Sequence, residues 1–123
     1  MYKLSDAEFD IMEILWNQLQ PIQPAVLLKL IYDKHNWNIS TLNTLLSRLE
    51  EKDFVKITYE KRFRYVSYKI SKEDYGRHEA KNIMKRLFGN SAKNMFAALI
   101  NTDELTEEQY NELESMLNKH KEK

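Results

Sequence analysis

The strongest constraint on the fold is a double change in hydrophobic period along the 123-residue chain. Up to Asp53 the apolar residues recur at helical spacing. Residues 54–70 instead alternate and are rich in β-branched and aromatic side chains, and from Ser71 the helical spacing returns. This order predicts a mainly α protein with a small β-hairpin between two helical segments. The chain has only two glycines and two prolines, which disfavours long flexible linkers and a β-sandwich.

Ser40–Lys52 is the most regular amphipathic helix of the sequence. Its apolar residues follow the i, i+3, i+4, i+7 spacing of one buried stripe: Leu42, Leu45, Leu46 and Leu49. The opposite face and its flank carry short polar side chains and the cation Arg48, and the candidate DNA contacts there are Ser40, Thr41, Asn43, Thr44, Ser47 and Arg48. Amides, hydroxyls and guanidinium groups are suited to base edges and phosphates in a DNA major groove. On this helix alone, an ordinary amphipathic helix is an equal alternative.

Two helices are predicted before it. Ser5 to about Leu19 begins with a capping-box pattern and carries Trp16, which we interpret as a core anchor rather than a ligand-stacking residue. A second helix begins near Pro24 and extends to about His35. The short polar turn Asn36–Asn38 then leads into Ser40–Lys52. The arrangement is that of a helix-turn-helix whose second element is the recognition helix.

The alternating segment predicts a hairpin with strands Phe54–Tyr59 and Arg64–Ile70. It follows the recognition helix directly, as the wing of a winged helix does, and its cations Lys61, Arg62 and Arg64 are expected to contact the DNA backbone. The net charge of zero conceals this basic segment: residues 54–69 hold five basic residues and one acidic one, while residues 100–123 hold three basic and seven acidic ones. Such local fields govern association more than the net charge does.

Three further helices are predicted, over Ser71–Phe88, over Ser91–Ile100 and from Thr106 onward. Since a winged helix at residues 1–70 closes a core of its own, residues 71–123 are predicted to dimerise with a second copy; an intramolecular cap is the alternative. The predicted interface residues are Leu87, Phe88, Phe96, Leu99, Tyr110, Leu113, Met116 and Leu117.

Several classes of function are disfavoured. The chain has no cysteine, which removes disulfides, thiolate catalysis and thiolate metal sites. Its histidines, His35, His78 and His120, lie far apart, and no catalytic triad order or phosphate-binding loop is present. We therefore expect neither an enzyme nor a cofactor or metal site. With no signal peptide or membrane span in the sequence, a cytoplasmic protein without membrane insertion is expected.

Motifs along nearly the whole chain are similar to those of one family. They are Ser5–Phe9 with Met12, Ile14, Leu15 and Trp16, then Trp37 and Thr41–Leu49, and finally Leu87–Gly89 and Asp103–Thr106. In this combination and order the chain resembles the penicillinase-repressor family, bacterial repressors of β-lactamase and methicillin-resistance genes that are related to copper-responsive repressors.

The resemblance implies a winged-helix domain followed by dimerising helices, and a homodimeric repressor of a palindromic double-stranded DNA operator. It also implies a membrane-bound sensor protease as partner, with derepression by cleavage in the dimerisation region. The corresponding bond is Ala98–Leu99, where familiar members have Asn-Phe, which leaves open both cleavage there and induction by a β-lactam. Familiar members also have Lys and Arg where this chain has Ser40 and Asn43, so the operator is expected to differ. Lack of cysteine excludes the cysteine-based copper sensing of the related branch.

A winged-helix module that binds another protein, without specific DNA binding, is the competing interpretation. Such modules bury or acidify the recognition face. The polar face of Ser40–Lys52 favours DNA instead.

Overall fold

A computed structural model of the chain describes residues 3–122. Within them it forms six helices and one antiparallel hairpin, which confirms the predicted fold class: α1 (Asp6–Asn17), α2 (Pro24–Ile31), α3 (Ile39–Glu51), β1 (Val55–Glu60), β2 (Phe63–Tyr68), α4 (Lys72–Phe88), α5 (Ala92–Ile100) and α6 (Glu107–Lys121). The chain divides into two compact units, Met1–His78 and Glu79–Lys123. The first is the winged helix.

The core of the first unit is built on the leucine stripe of α3. Apolar residues from the first three helices, both strands and the segments beside them pack together there: Leu4, Ile11, Met12, Leu15, Ile22, Leu27, Ile31, Leu42, Leu45, Leu46, Leu49, Phe54, Val55 and Val66. The start of α1 has the predicted capping box, since Ser5 Oγ accepts from Glu8 N at 3.2 Å and Glu8 Oε1 accepts from Ser5 N at 2.9 Å. All four leucines of the predicted stripe are buried.

The ends of α1 and α2 differ from the sequence-based boundaries. The first helix is predicted to reach about Leu19, but α1 ends at Asn17 and Leu19 is 93% exposed. Gln20 explains the early end, because its Nε2 donates to the carbonyl of Leu15 at 2.7 Å and so occupies one of the last acceptors of the helix. Likewise α2 ends at Ile31 and a turn follows, rather than continuing to His35.

The recognition helix begins one residue before its predicted start. Asn38 is its N-cap, and Asn38 Oδ1 accepts from Thr41 N at 2.8 Å. Asparagine is among the best capping residues because its side-chain oxygen satisfies a donor that the first turn leaves free. Ser40 therefore lies inside the first turn of the helix.

The hairpin is tighter than predicted and has a third partner at its base. Strands β1 and β2 are joined by the two residues Lys61 and Arg62, with Lys61 at φ 59°. At the base, Ile22 of the α1–α2 linker exchanges two backbone hydrogen bonds with Val66, at 2.9 and 2.8 Å. The wing is thereby attached to the segment between the first two helices as well as to α3.

An aromatic cluster attaches the beginning of α4 to the winged helix. Tyr75 lies with its ring centroid 6.3 Å from that of Phe9, 5.8 Å from that of Trp16 and 5.6 Å from that of Phe54. Trp16 packs against the core as predicted, and its Nε1 donates to the Ile70 carbonyl at 2.9 Å.

The second unit contains the rest of α4, together with α5 and α6. Gly89, at φ 55°, follows the end of α4, a position where the left-handed conformation favours glycine. Ser91 caps α5, and Thr106 with Gln109 forms the predicted capping box of α6. Among the described residues of these three helices none is buried.

Candidate nucleic-acid interface

The recognition helix is divided sharply between a buried and an exposed side. Leu42, Leu46 and Leu49 are fully buried, which fixes the rotation of α3 about its axis. Most of the predicted DNA-contacting residues of this helix are exposed on its other side: Ser40, Thr41, Thr44, Ser47 and Arg48. The Thr44 hydroxyl donates to the Ser40 carbonyl at 3.1 Å, so in the free protein it faces outward as an acceptor.

The predicted basic residues of the wing occupy two different places. Lys61 and Arg62 form the turn and are exposed. Arg64 instead lies within β2, opposite Tyr59 and two residues before the buried Val66, so it shares the inward face of the hairpin. Its guanidinium donates to Oδ1 of Asn43 on α3. From the sequence, Arg64 is predicted to contact the DNA backbone and its bond to Asn43 is not predicted, although the even spacing between Arg64 and Val66 indicates a shared face.

An open groove of about 490 Å³ lies between the wing and the beginnings of α2 and α3. Its walls combine the Asn43–Arg64 pair with Arg62 of the wing turn and four apolar side chains. The lining residues are Gln23, Pro24, Ala25, Ile39, Asn43, Arg62, Phe63 and Arg64. Gln23 also bonds to the hydroxyl of Tyr65 in β2, at 3.4 Å. The arrangement places donor groups of a helix and of a wing along one surface.

A buried ion pair holds the far end of the recognition helix. Glu8 of α1 is 2% exposed, and its Oε1 accepts from Nζ of Lys52, the C-cap of α3, at 2.7 Å. Burial raises the pKa of Glu8, but the hydrogen bonds from Lys52 and Ser5 outweigh it and hold the pKa below its ordinary value. Glu8 Oε2 has no hydrogen-bond partner within residues 3–122. From the sequence, Glu8 is predicted only as part of the capping box.

A second charge cluster fixes the turn between α2 and α3. Nε2 of His35 donates to Asp10 Oδ2 at 2.7 Å, and the imidazole stacks on Trp37 with centroids 4.3 Å apart. Lys34 forms an ion pair with the same carboxylate at 2.9 Å. The hydrogen bond from His35 and the one from Lys34 lower the pKa of Asp10. His35, the predicted end of the second helix, lies instead in this turn, is half-buried and joins α1 to the turn.

The second unit exposes large apolar side chains rather than burying them. Of the predicted interface residues, Leu87, Phe96, Leu99, Tyr110, Met116 and Leu117 are exposed, and Phe88 and Leu113 are half-buried. An apolar cavity of about 280 Å³ is lined by Phe88, Met95, Phe96, Ala98, Leu99 and Thr102. The candidate cleavage bond, Ala98–Leu99, lies within α5.

Residues 3–122 hold no group of three or more histidine, aspartate or glutamate side chains placed to bind a metal ion. The same residues include no helix that is both long and apolar enough to cross a bilayer.

A three-helix core with a two-stranded wing and an exposed polar recognition helix defines a winged helix-turn-helix DNA-binding protein. Sequence comparison then gives the family: the model described as Penicillinase repressor matches residues 4–119, and the chain belongs to the penicillinase repressor family. This is a family of transcriptional repressors, not of enzymes, and the resemblance stated from the motifs is confirmed.

Relatives match over nearly their whole length. The penicillinase repressor of Bacillus licheniformis is 26% identical over 119 residues, which are 97% of this chain and 92% of the relative. The methicillin resistance regulatory protein MecI of Staphylococcus aureus strain N315 is 24% identical over 119 residues, 96% of this chain and 95% of the relative.

Solved structures match the winged-helix part. The solution structure of the DNA binding domain of the repressor BlaI has a TM-score of 0.52 and 28% identity, and covers 61% of this chain and 94% of its own. The solution structure of Bacillus licheniformis BlaI in its monomeric form, in complex with the blaP half-operator, has a TM-score of 0.51 and 27% identity. It covers 60% of this chain and 89% of its own.

Proposed function

We propose that this protein is a homodimeric repressor that binds a palindromic DNA operator through α3 and the wing. The observation that carries the proposal is the exposed polar side of α3, beside a wing turn that bears Lys61 and Arg62. A helix of this width fits a major groove, while wing cations reach phosphates. The similar BlaI domain in complex with a half-operator supports the same use of this fold.

Base reading and backbone attraction are assigned to different residues. Thr41, Asn43, Thr44, Ser47 and Arg48 would face the groove, with Ser40 at its edge. Lys61 and Arg62 would contact phosphates. Their contribution to DNA affinity decreases as the salt concentration rises, because each phosphate contact releases bound counterions. The test is fluorescence anisotropy of the full chain with DNA from upstream of its own gene and with random DNA, at several salt concentrations.

Arg62→Ala should weaken binding to both DNAs and reduce the salt slope by about one. Lys93→Ala, which removes an exposed cation from α5, is the matched control and should change neither. Absence of any binding by the wild-type chain at low salt would contradict the DNA-binding proposal and favour a protein-interaction module.

The dimer is assigned to the second unit. Its apolar side chains remain exposed in a single chain, and a cluster of this kind usually marks an interface. Two-fold symmetry would set the two recognition helices about 34–36 Å apart, or a multiple of that spacing. Leu117, 56% exposed, can be replaced without disturbing the fold of one chain.

Leu117→Asp should convert dimers to monomers in analytical ultracentrifugation, because a charge would then be buried unpaired. Operator affinity should fall as well, since each monomer would then bind one half-site on its own. Asn118→Asp, on the same helix, is the control. A Leu117→Asp protein that stays dimeric would place the interface elsewhere.

We propose further that the regulated genes include a β-lactamase or similar resistance operon, and this protein's own gene. Relief would follow cleavage of Ala98–Leu99 by a system with a membrane-bound sensor protease. Since this bond lies inside α5, a protease would have to unwind the helix locally before cutting it. Intact-mass spectrometry of the protein from β-lactam-treated cells tests this step. A protein that stays uncut while transcription rises would exclude cleavage as the trigger.

A further inference from the structure

We propose that Arg64 of the wing and Asn43 of α3 act as one base-reading unit that presents mainly hydrogen-bond donors and therefore selects guanine. The inference rests on the proposed function, namely that this face binds DNA. It assigns Arg64 a role in base preference rather than in backbone attraction, and it makes one wing residue part of the recognition helix's contact surface.

The placement of Arg64 follows from the alternation of β2. Residues 64 and 66 share one face of the hairpin, and Val66 is fully buried on that face. Arg64 thus faces the core side while Lys61 and Arg62 remain at the turn. Both Arg64 and Asn43 are half-buried, and their side chains are hydrogen-bonded across the space between wing and helix.

The chemistry of the guanidinium determines the orientation of the amide. Arginine has five N–H donors and no acceptor, so the Asn43 atom that it contacts must be the oxygen. The oxygen and nitrogen of an asparagine side chain are otherwise hard to distinguish, but here only the orientation with Oδ1 towards Arg64 gives a hydrogen bond. Asn43 is therefore held with Oδ1 towards Arg64, and its NH₂ group remains available.

This orientation changes the base that Asn43 suits. A free asparagine reads adenine by accepting from N6 and donating to N7. With Arg64 on Oδ1, one lone pair of that oxygen is used and the other lies beside a positive charge, which disfavours the approach of an adenine amino group. Guanine instead presents two acceptors, O6 and N7, in the major groove. The Asn43 NH₂ and the unused N–H groups of Arg64 are complementary to both.

The surroundings leave room for such a contact. Asn43 and Arg64 line the open groove between the wing and the beginnings of α2 and α3, so the pair lies at a surface rather than inside the core. The hydrogen bond is present in the protein alone, so the donors are oriented before DNA arrives and little side-chain entropy is lost on binding.

The experiment is selection of half-sites from random-sequence DNA with the full chain, followed by sequencing. The wild type should select guanine at one position of each half-site. Arg64→Met frees Oδ1 and should shift that position towards adenine, with the guanine-to-adenine ratio changing on the order of 10-fold. Arg62→Met is the matched control: it removes a neighbouring cation without touching Asn43 and should leave the preference unchanged.

Double substitution tests the coupling. Asn43→Ala should abolish the preference at that position, and Arg64→Met in the Asn43→Ala background should then cause no shift towards adenine. In the free protein, the side-chain amide resonance of Asn43 should move in Arg64→Met and stay in place in Arg62→Met. This NMR readout does not depend on DNA.

The two levels of the proposal fail in distinguishable ways. A wild type that binds DNA with no base preference anywhere would overturn the operator-binding function itself. A wild type that selects a motif which Arg64→Met leaves unchanged, or that selects adenine where Asn43 acts, would overturn the Arg64–Asn43 unit alone.

Discussion

Lys52→Met should destabilise the winged-helix unit by about 3 kcal/mol at pH 7. Removing one partner of a buried ion pair costs about 3–5 kcal/mol, because the other charge is left unpaired away from water. The lower end applies here since 26% of the Lys52 side chain is exposed, whereas Glu8 has only 3%. Glu8 would keep the Ser5 amide as partner at 2.9 Å, with Oε2 unpaired as before.

Glu8→Gln provides the matched comparison at the other end of the pair. The amide oxygen can still accept from Ser5 and Lys52, and the partly exposed Lys52 can turn to water. Glu8→Gln should therefore lower the stability of the winged-helix unit by less than Lys52→Met, about 1–2 kcal/mol. Urea unfolding followed by tryptophan fluorescence measures both, because Trp16 and Trp37, the two tryptophans of the chain, lie in the first unit.

The dependence on pH separates this explanation from simple loss of packing. The wild-type pKa of Glu8 is lowered, so its contribution is complete above the ordinary value near 4.5 and is lost as pH falls through the folded value. In Lys52→Met the lowering effect of Lys52 is removed while the raising effect of burial remains, so the pKa of Glu8 should be higher than in the wild type and acid should protonate the unpaired carboxyl and relieve the penalty. The stability difference should shrink between pH 7 and pH 4. A difference that is constant with pH, or a Glu8→Gln protein less stable than Lys52→Met, would refute the reasoning.

Three further perturbations test the scaffold around α3. Asn38→Ala should cost about 1 kcal/mol of stability in thermal unfolding through loss of the N-cap, whereas Ser40→Ala should cost little. Trp16→Phe should cost about 1 kcal/mol by removing the hydrogen bond to the Ile70 carbonyl. Because the pKa of Asp10 is lowered, its carboxylate stabilises the fold at pH values above the ordinary pKa of 3.8, and this contribution is lost on acidification. Asp10→Asn should therefore make the loss of stability with falling pH shallower, as measured by urea unfolding at about pH 3 to 6.

Elements set by local pattern were predictable from the sequence. The leucines of α3, the capping boxes at Ser5 and Thr106, and the change of period at the hairpin depend on residues within a few positions of one another. Repeating spacings and short capping patterns carry this information directly. Helix ends were less accurate, since Gln20 shortens α1 through a side-chain bond that no periodicity reveals.

Features made by distant residues were missed. The Glu8–Lys52 pair spans 44 positions and the Asn43–Arg64 bond spans 21. Neither follows from spacing, because each requires knowing how α1, α3 and the wing lie against one another. The polar face of α3 was predicted residue by residue, but whether a given side chain was free or already bonded required the tertiary structure.

The bridge between Ile22 and Val66 sets a rule for redesigning the wing. The bridge holds the base of the hairpin in one register, so only the outer part, beyond Arg64 and Tyr59, can change length. Adding one residue to each strand there would turn every side chain nearer the tip to the opposite face, while adding two to each would restore the faces and move the basic turn outward by about 6–7 Å. The reach of this wing is therefore adjustable in steps of two residues per strand. An insertion of one residue per strand would turn Lys61 and Arg62 away from the recognition helix.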